Sequence, residues 1–452
     1  MPSENPTDNC IASDLISTAV RILRLGPICD SCFGRQFAML GTGMTNSERG
    51  RSIKTLMVMS ADLQASDESR EMLRALAPSC RQARLRLGVE GDDENCWVCL
   101  GQMYPERLEE LADRAVDELK GIECSRFLVG TFMSGLLAEN EELLLADGCS
   151  RHAEPMKSEI NREVGKLIAL KSGKQPDLNN PEVVVHLHLS DGHVEIQIQP
   201  LYIYGRYRKL QRGFPQTRWP CRVCGGRGCE RCGNTGRMYQ ESVDELIRGP
   251  IVEAADAEDT VFHGAGREDI DARMLGSGRP FVVEVVRPRR RDLDLNALRD
   301  EINRRCSGKV EVSDLIFVDK SMVEMVKNER FEKTYEALIE FSVPVEEEKL
   351  KSALSRLIGF VEQRTPTRVS HRRADKVRRR AVHSAELEEF SGRTARITVR
   401  CDSGLYVKEL ISGDAGRTRP SLAELLESDA RVVELDVIDV GGVPNAKITR
   451  IS

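Results

Sequence analysis

The chain has 452 residues, 40% of them hydrophobic and 31% charged, with a formal net charge of -6 at pH 7. That length gives room for roughly two to four domains of globular composition. No apolar run approaches the roughly 20 residues of a membrane span, and the acidic balance excludes a protein held to polyanions by bulk charge alone.

Residues 1–9 are polar and carry acids rather than a basic segment before an apolar one, so no secretory signal is expected. Apolar positions at helical spacing predict a helix over 13–25, with Ser13 or Asp14 as its cap. Residues 46–86 read as mostly helical, 105–120 as an amphipathic helix, 124–131 as a short strand and 156–172 as another helix. Alternation in 183–189 and 194–199 around Ser190-Asp191-Gly192 predicts a hairpin. His186 and His188 share one face of it, which the polar side of a half-exposed strand explains better than half a metal site. Residues 202–240 are rich in Arg, Gly and Cys with little periodicity, and the domain cut is placed there: an accessory region 1–205, a basic linker 206–240 and a third region 241–452. Beyond 241, helical stretches at 292–305, 346–362 and 420–428 alternate with strand-like ones at 281–286, 310–317, 335–343, 395–401 and 432–440, an α/β (α+β) pattern.

Eight of the 14 cysteines fall in CxxC pairs. Without a secretion signal, metal thiolates in a reducing compartment are favoured over disulfides. CRVCGGRGCERCGNTG (221–236) is CxxCxGxG written twice. Each CxxC sets two sulfurs on a tight turn, and the glycines let backbone N–H groups reach them, so Cys221, Cys224, Cys229 and Cys232 are expected to close around one structural zinc. Cys29, Cys32, Cys96 and Cys99 are expected to share a second zinc, since closing a long loop costs only slowly more with length. One or two structural zinc ions are therefore expected. The remaining cysteines read as small buried hydrophobes.

Two basic runs stand out against the acidic whole. Nine Arg or Lys between 206 and 237, among them Arg206, Arg208, Lys209 and Arg212, face one acid. Eight more between 364 and 380, among them Arg368, Arg372, Arg373 and Lys376, face Asp375 alone. Local basic patches fit a docked polyanion, and these residues are the candidate RNA contacts; either run read alone is equally a solvated loop.

Three short segments carry an enzymatic reading: Ala265-Gly266-Arg267-Glu268-Asp269, Lys333-Thr334-Tyr335-Glu336-Ala337, and Ser403-Gly404-Leu405-Tyr406-Val407-Lys408-Glu409-Leu410. Each alone has a bland reading, as a loop ion pair or a tyrosine at a strand start. In this order they resemble pseudouridine synthases: the AGRTD or GRLD loop, the KxY strand, and the SGTYIRSL segment of the branch that modifies the tRNA T-loop. The strings HGAGREDIDARMLGSGRPF (263–281), GRYRKLQRGFPQTRWPC (205–221) and RTPTRVSHRRADKVRRR (364–380), with the double CxxCxGxG, resemble the archaeal-type synthases acting at positions 54 and 55 of tRNA. The N-terminal region resembles that family's accessory domain with its THUMP-type RNA-binding unit.

The resemblance implies a zinc-containing, THUMP-like α/β domain followed by a synthase fold with a mixed, largely antiparallel sheet and a central cleft. It implies Asp269 as nucleophile, with Asp271 the nearest rival. Tyr335 and Tyr406 would contact substrate, with Arg267 beside them, Lys408 would pair with the catalytic carboxylate, and Leu410 would pack beneath the base. Leu405 and Lys408 depart from the family's Thr and Arg, the latter losing a bidentate fork. The reaction is an isomerisation, so no catalytic cofactor and no small-molecule cosubstrate are expected. The implied partner is tRNA, with no membrane, in a cytoplasmic monomer. Against this stand two other readings: a non-catalytic zinc-stapled tRNA binder, which leaves the Asp/Tyr/Tyr set unexplained, and another THUMP-type tRNA-modifying enzyme. Methylation or thiolation would need a glycine-rich donor loop or an SGGxDS-type ATP loop; neither is found.

Overall fold

The computed structural model describes residues 8–64, 66–148, 152–328, 330–370 and 374–441. The chain divides into two compact units, Met1–Gln199 and Pro200–Ser452. Among the described residues no helix is long and apolar enough to cross a membrane.

Among the described residues the first unit packs eight α-helices and a small sheet around one core that runs from Ala19 to Ile198. The expected helical stretch 46–86 is three helices, Asn46–Gln64, Asp67–Leu76 and Arg81–Leu87. The second starts at Ser66, whose hydroxyl accepts from the backbone N–H of Ser69, and the third stops at Gly88 with φ +68°. The helices Pro105–Glu118 and Met156–Ser172 lie where the apolar periodicity puts them. The strands are β1 (Arg126–Phe132), β2 (Gln175–Pro176), β3 (Val183–His188) and β4 (His193–Ile198), in the order β2-β1-β3-β4. β1 runs parallel to β2 and β3; β3 and β4 form the expected hairpin. Val183, Val185 and Leu187 turn into the core. On the other face His186 bonds Gln197 at 2.9 Å and His188 stacks on Phe132 at 4.7 Å, so a polar strand face accounts for both.

The second unit is built on one ten-stranded sheet. Its strands are β5 (Leu201–Lys209), β6 (Asp259–Gly264), β7 (Ala272–Val286), β8 (Val310–Val318), β9 (Lys333–Phe341), β10 (Gly359–Arg364), β11 (Val377–Phe390), β12 (Thr394–Cys401), β13 (Thr418–Arg419) and β14 (Ala430–Val440). The order is β13-β10-β11-β12-β9-β14-β7-β5-β8, with β6 on β7. Every pairing is antiparallel except β14 with β7, which joins the two halves. Each half has its own apolar core, and Tyr335 on β9 packs against both.

Three sequence expectations change here. The expected cut at 205/206 falls inside β5, which is not linker but an interior strand between β7 and β8. Its burial on both faces hides the alternation that would have marked it. The expected helix 346–362 ends at Leu357; Gly359, with φ +124°, opens β10 instead. The ends of the basic run 364–380 are strand and not loop: Arg364 closes β10 and residues 377–380 open β11.

Candidate active site

A cleft of about 730 Å³ lies over the single parallel junction of the sheet. Leu435 and Val437 of β14 line it beside Ala272 of β7, the registered neighbour of Leu435. Its volume is that of an ordinary ligand site. The segments 266–272, 403–408 and 368–369, which are far apart in sequence, meet there with Lys333, Tyr335 and Trp219.

Asp269 sits on the loop between β6 and β7, its side chain 42% exposed. Arg368 Nη1 stands 3.2 Å from Asp269 Oδ2, and Lys408 Nζ stands 3.8 Å from the same oxygen. The expected Lys408–Asp269 pair is therefore secondary: Lys408 gives its short contact, 2.6 Å, to Asp271. Burial raises the Asp271 carboxyl, but the Lys408 hydrogen bond and charge outweigh it and hold its pKa below the usual range. Arg368, read from sequence as an RNA contact, also gives Nε to Glu409 at 2.7 Å and lies 5.8 Å over the Tyr406 ring.

A buried polar network holds the Asp269 loop from behind. Arg279, 1% exposed, donates Nε to Glu268 Oε2 at 2.9 Å and Nη1 to Ala265 O at 2.9 Å. Tyr207 donates to the same Glu268 carboxylate at 2.8 Å. Gln216 Nε2 bonds the Tyr207 hydroxyl at 2.8 Å and Gly266 O at 2.9 Å. Lys209 Nζ caps the carbonyls of Phe214, Asp269 and Ile270 at 3.0 to 3.3 Å. Gly266 has φ +72°, and a Cβ there would lie 3.3 Å from Lys333 Nζ, so the loop bends closely over the lysine.

Tyr335 rises from β9 at the seam of the two cores; burial pushes its phenol well up. Lys333, two residues before it on the same face, is 9% exposed. Burial, then repulsion from Arg279, lowers its ammonium to about 8. Tyr406 is held through its backbone: Gln363, 1% exposed, donates Nε2 to Tyr406 O at 3.0 Å and accepts from Tyr406 N at 2.8 Å. Arg267 lines the cleft with its guanidinium 5.8 Å over the Trp219 ring.

Other expected residues lie elsewhere. Leu410 is fully buried on the helix Val407–Ser412, three residues past Val407, and is not among the residues lining the cleft. Lys209 is a correction to the expected RNA contacts: at 0% exposure, with three carbonyl partners, it cannot reach a phosphate. Arg206 is spent on the carbonyls of Ser277, Gly278 and Val440, Arg208 on Glu311, and Arg212 on Asp436 at 2.8 Å. The strands flanking β5 supply most of these acceptors. Lys376 is exposed; Arg372 and Arg373 lie outside the described residues. The sequence reading missed the roles of Arg368, Glu268, Arg279, Gln216 and Gln363. The first four lie in strings whose likeness to the family was apparent, but nothing local marks their partners.

Two four-cysteine groups could hold a metal ion: Cys29, Cys32, Cys96 and Cys99, and Cys221, Cys224, Cys229 and Cys232. Neighbouring sulfurs within the groups lie 3.7 to 3.9 Å apart. A tetrahedron with metal–sulfur bonds of about 2.3 Å has edges of about 3.8 Å, so the fit is direct. The backbone N–H groups of Gly228 and Gly236 point at Cys224 Sγ and Cys232 Sγ, each at 3.2 Å. These donors stabilise thiolates. The 63-residue separation of the N-terminal pairs is bridged by the fold, with Trp97 N bonded to Pro27 O at 3.0 Å.

Comparison with known proteins gives the family. The family model "Pus10, C-terminal" matches residues 202–441, and "Pus10 THUMP domain, archaeal" matches 111–188. The chain is 46% identical to the tRNA pseudouridine synthase Pus10 of Methanopyrus kandleri, over 91% of this chain and 95% of that one. It is 41% identical to that of Methanocaldococcus jannaschii, over 93% of each. Among solved structures, it is similar to a pseudouridylate synthase at 14% identity, covering 57% of this chain and 74% of that one, with a TM-score of 0.21. The chain belongs to the Pus10 family of pseudouridine synthases.

Proposed function

We propose that this protein isomerises uridine to pseudouridine in the T-loop of tRNA, at position 54, 55 or both, with Asp269 as the nucleophile. The observation that carries the reading is a carboxylate held between Arg368 and Lys408 in a cleft walled by Tyr335 and Tyr406.

In the net reaction the N1–C1′ bond breaks, a C5–C1′ bond forms, C5 loses a proton and N1 gains one. The Asp269 carboxylate is the group that acts on the bound nucleotide, with the charges of Arg368 and Lys408 beside it. The uracil freed from C1′ must turn without leaving. Tyrosine rings and the apolar side chains of Leu435 and Val437 give it apolar surface, and a tyrosine hydroxyl can hydrogen-bond the base or relay the C5 proton. No cofactor or cosubstrate enters this balance.

The target uridine must be flipped out of the folded RNA, at a cost of a few kcal/mol. Contacts with the exposed basic residues of 364–380, Lys376 among them, and with the first unit offset that cost. Both four-cysteine groups are proposed to hold zinc, which here supplies structure alone, because four thiolates leave no open position.

The test is tritium release from tRNA transcribed with 5-tritiated uridine. Release that needs Asp269, and neither methyl donor nor ATP, supports the reading. Undiminished release by Asp269→Asn, or none by the wild-type protein, refutes it.

A further inference from the structure

Three aromatic rings line the cleft with Asp269; the isomerisation as proposed uses Tyr335 and Tyr406 and gives Trp219 no task. Its position comes from the four-cysteine knuckle. Pro220 and Arg237 form an isolated antiparallel bridge at the knuckle's neck. Cys221 N bonds Gly236 O at 2.8 Å, and Met238 N bonds Trp219 O at 3.0 Å. Tyr239, on the returning segment, packs edge-on against the indole at 5.8 Å. Arg267, two residues before Asp269, lays its guanidinium 5.8 Å over the same ring. The indole thus joins the metal-binding knuckle to the catalytic loop.

We propose that Trp219 and Arg267 form a stacking site for the nucleobase next to the uridine being isomerised. We further propose that a metal in the four-cysteine knuckle sets that site by fixing Trp219. The proposal rests on the isomerase reading above. An extruded uridine brings its neighbour to the cleft mouth, one backbone step away. An indole takes any base on its face, and an adjacent guanidinium can fork onto the intervening phosphate. The knuckle's backbone is tightly turned around its four sulfurs. Its turns need φ values near +60 to +97° at Gly225, Gly226 and Gly236, and a Cβ at Gly236 would meet Gly226 O at 2.2 Å. Without the metal, four sulfurs at tetrahedral spacing have no common partner, and the neck that carries Trp219 loosens.

The test uses T-arm stem-loop RNA with an abasic nucleotide on one side or the other of the target uridine. Single-turnover kcat/KM is measured for the wild type, Trp219→Ala, Trp219→Phe and the double variant Cys229→Ser/Cys232→Ser. Trp219→Ala is expected to lower kcat/KM about ten- to a hundredfold on intact RNA. Removing one neighbouring base should cost the wild type as much and the Ala variant little more. Trp219→Phe should recover most of the loss, and the Cys variant should behave as Trp219→Ala while keeping its circular dichroism. Losses that simply multiply at both neighbours overturn the stacking site; a Cys variant that keeps the wild-type coupling overturns the metal's part. The same RNAs are titrated onto the Asp269→Asn protein. This readout needs no turnover, so failure of the stacking site and failure of the isomerase reading give different results.

Discussion

Arg368 Nη1 lies 3.2 Å from Asp269 Oδ2, although the two stand 99 positions apart, one on the loop before β7 and the other on the turn Thr367–Val369. The contact is anchored, because Glu409, 5% exposed, accepts Arg368 Nε at 2.7 Å. Lys408 spends its closest contact on Asp271. The guanidinium therefore fixes the carboxylate's direction, and the ammonium adds charge.

Removal of Arg368 is accordingly expected to cost more than removal of Lys408. Arg368→Ala should lower the single-turnover rate about a hundredfold or more, with Lys408→Ala several times milder. Arg368→Lys keeps a charge but not the fork, and should fall between them. Rapid-quench tritium release measures all three. Equal losses in the two Ala variants would overturn the ordering.

The Glu268–Arg279 pair is closed off from water, with side-chain exposures of 0% and 1%. Taking one partner from such a pair leaves a bare buried charge, which costs about 3–5 kcal/mol. Arg279→Met should lower unfolding free energy by that order in urea and slow catalysis as the Asp269 loop loses its tie at Ala265 O. Replacing both partners with apolar residues should restore much of the stability but not the rate. A double variant as active as wild type would show that the network holds nothing the reaction needs.

This network also explains what sequence could and could not reveal. The hairpin 183–198 and the helix Met156–Ser172 were legible because one face of each is buried and the other is not. Both cysteine groups were legible from spacing. Asp269, Tyr335 and Tyr406 were legible only as parts of motifs, and the fold brings their segments to one cleft. β5 was not legible: Tyr207 and Lys209 are polar groups buried against partners about 60 residues away, so no local pattern announces them. Arg368 was hidden for the opposite reason. Among eight basic residues nothing distinguishes the one that reaches Asp269, and the choice is made by the turn between β10 and β11.

Glu159 gives the first unit a dependence on pH. On the helix Met156–Ser172 it is 3% exposed and its Oε2 has no hydrogen-bond partner. Burial, partly opposed by Asn46 and Arg35, raises its pKa to about 7. A carboxyl raised on folding contributes its stabilisation fully below the unfolded value, near 4.5, and loses it as pH climbs through 7. The span corresponds to an order of about 3 kcal/mol. The melting temperature of the wild type relative to Glu159→Gln should therefore fall between pH 5 and 8. A constant difference across that range would mean that Glu159 does not titrate in the folded protein.

The second unit contains the whole cleft and both of its cores, and it begins at Pro200, just before β5. A fragment of residues 200–452 is thus expected to unfold cooperatively and to keep Asp269-dependent tritium release on a T-arm stem-loop at high RNA concentration. Full-length tRNA should bind it at least about tenfold more weakly than it binds the intact chain, because phosphate contacts made by the first unit are gone. The salt dependence should separate this from a damaged cleft. Loss of distant phosphate contacts flattens the slope of log affinity against log salt, whereas damage at the cleft lowers activity and leaves that slope unchanged. Unaltered tRNA affinity in the fragment would remove the first unit from substrate binding altogether.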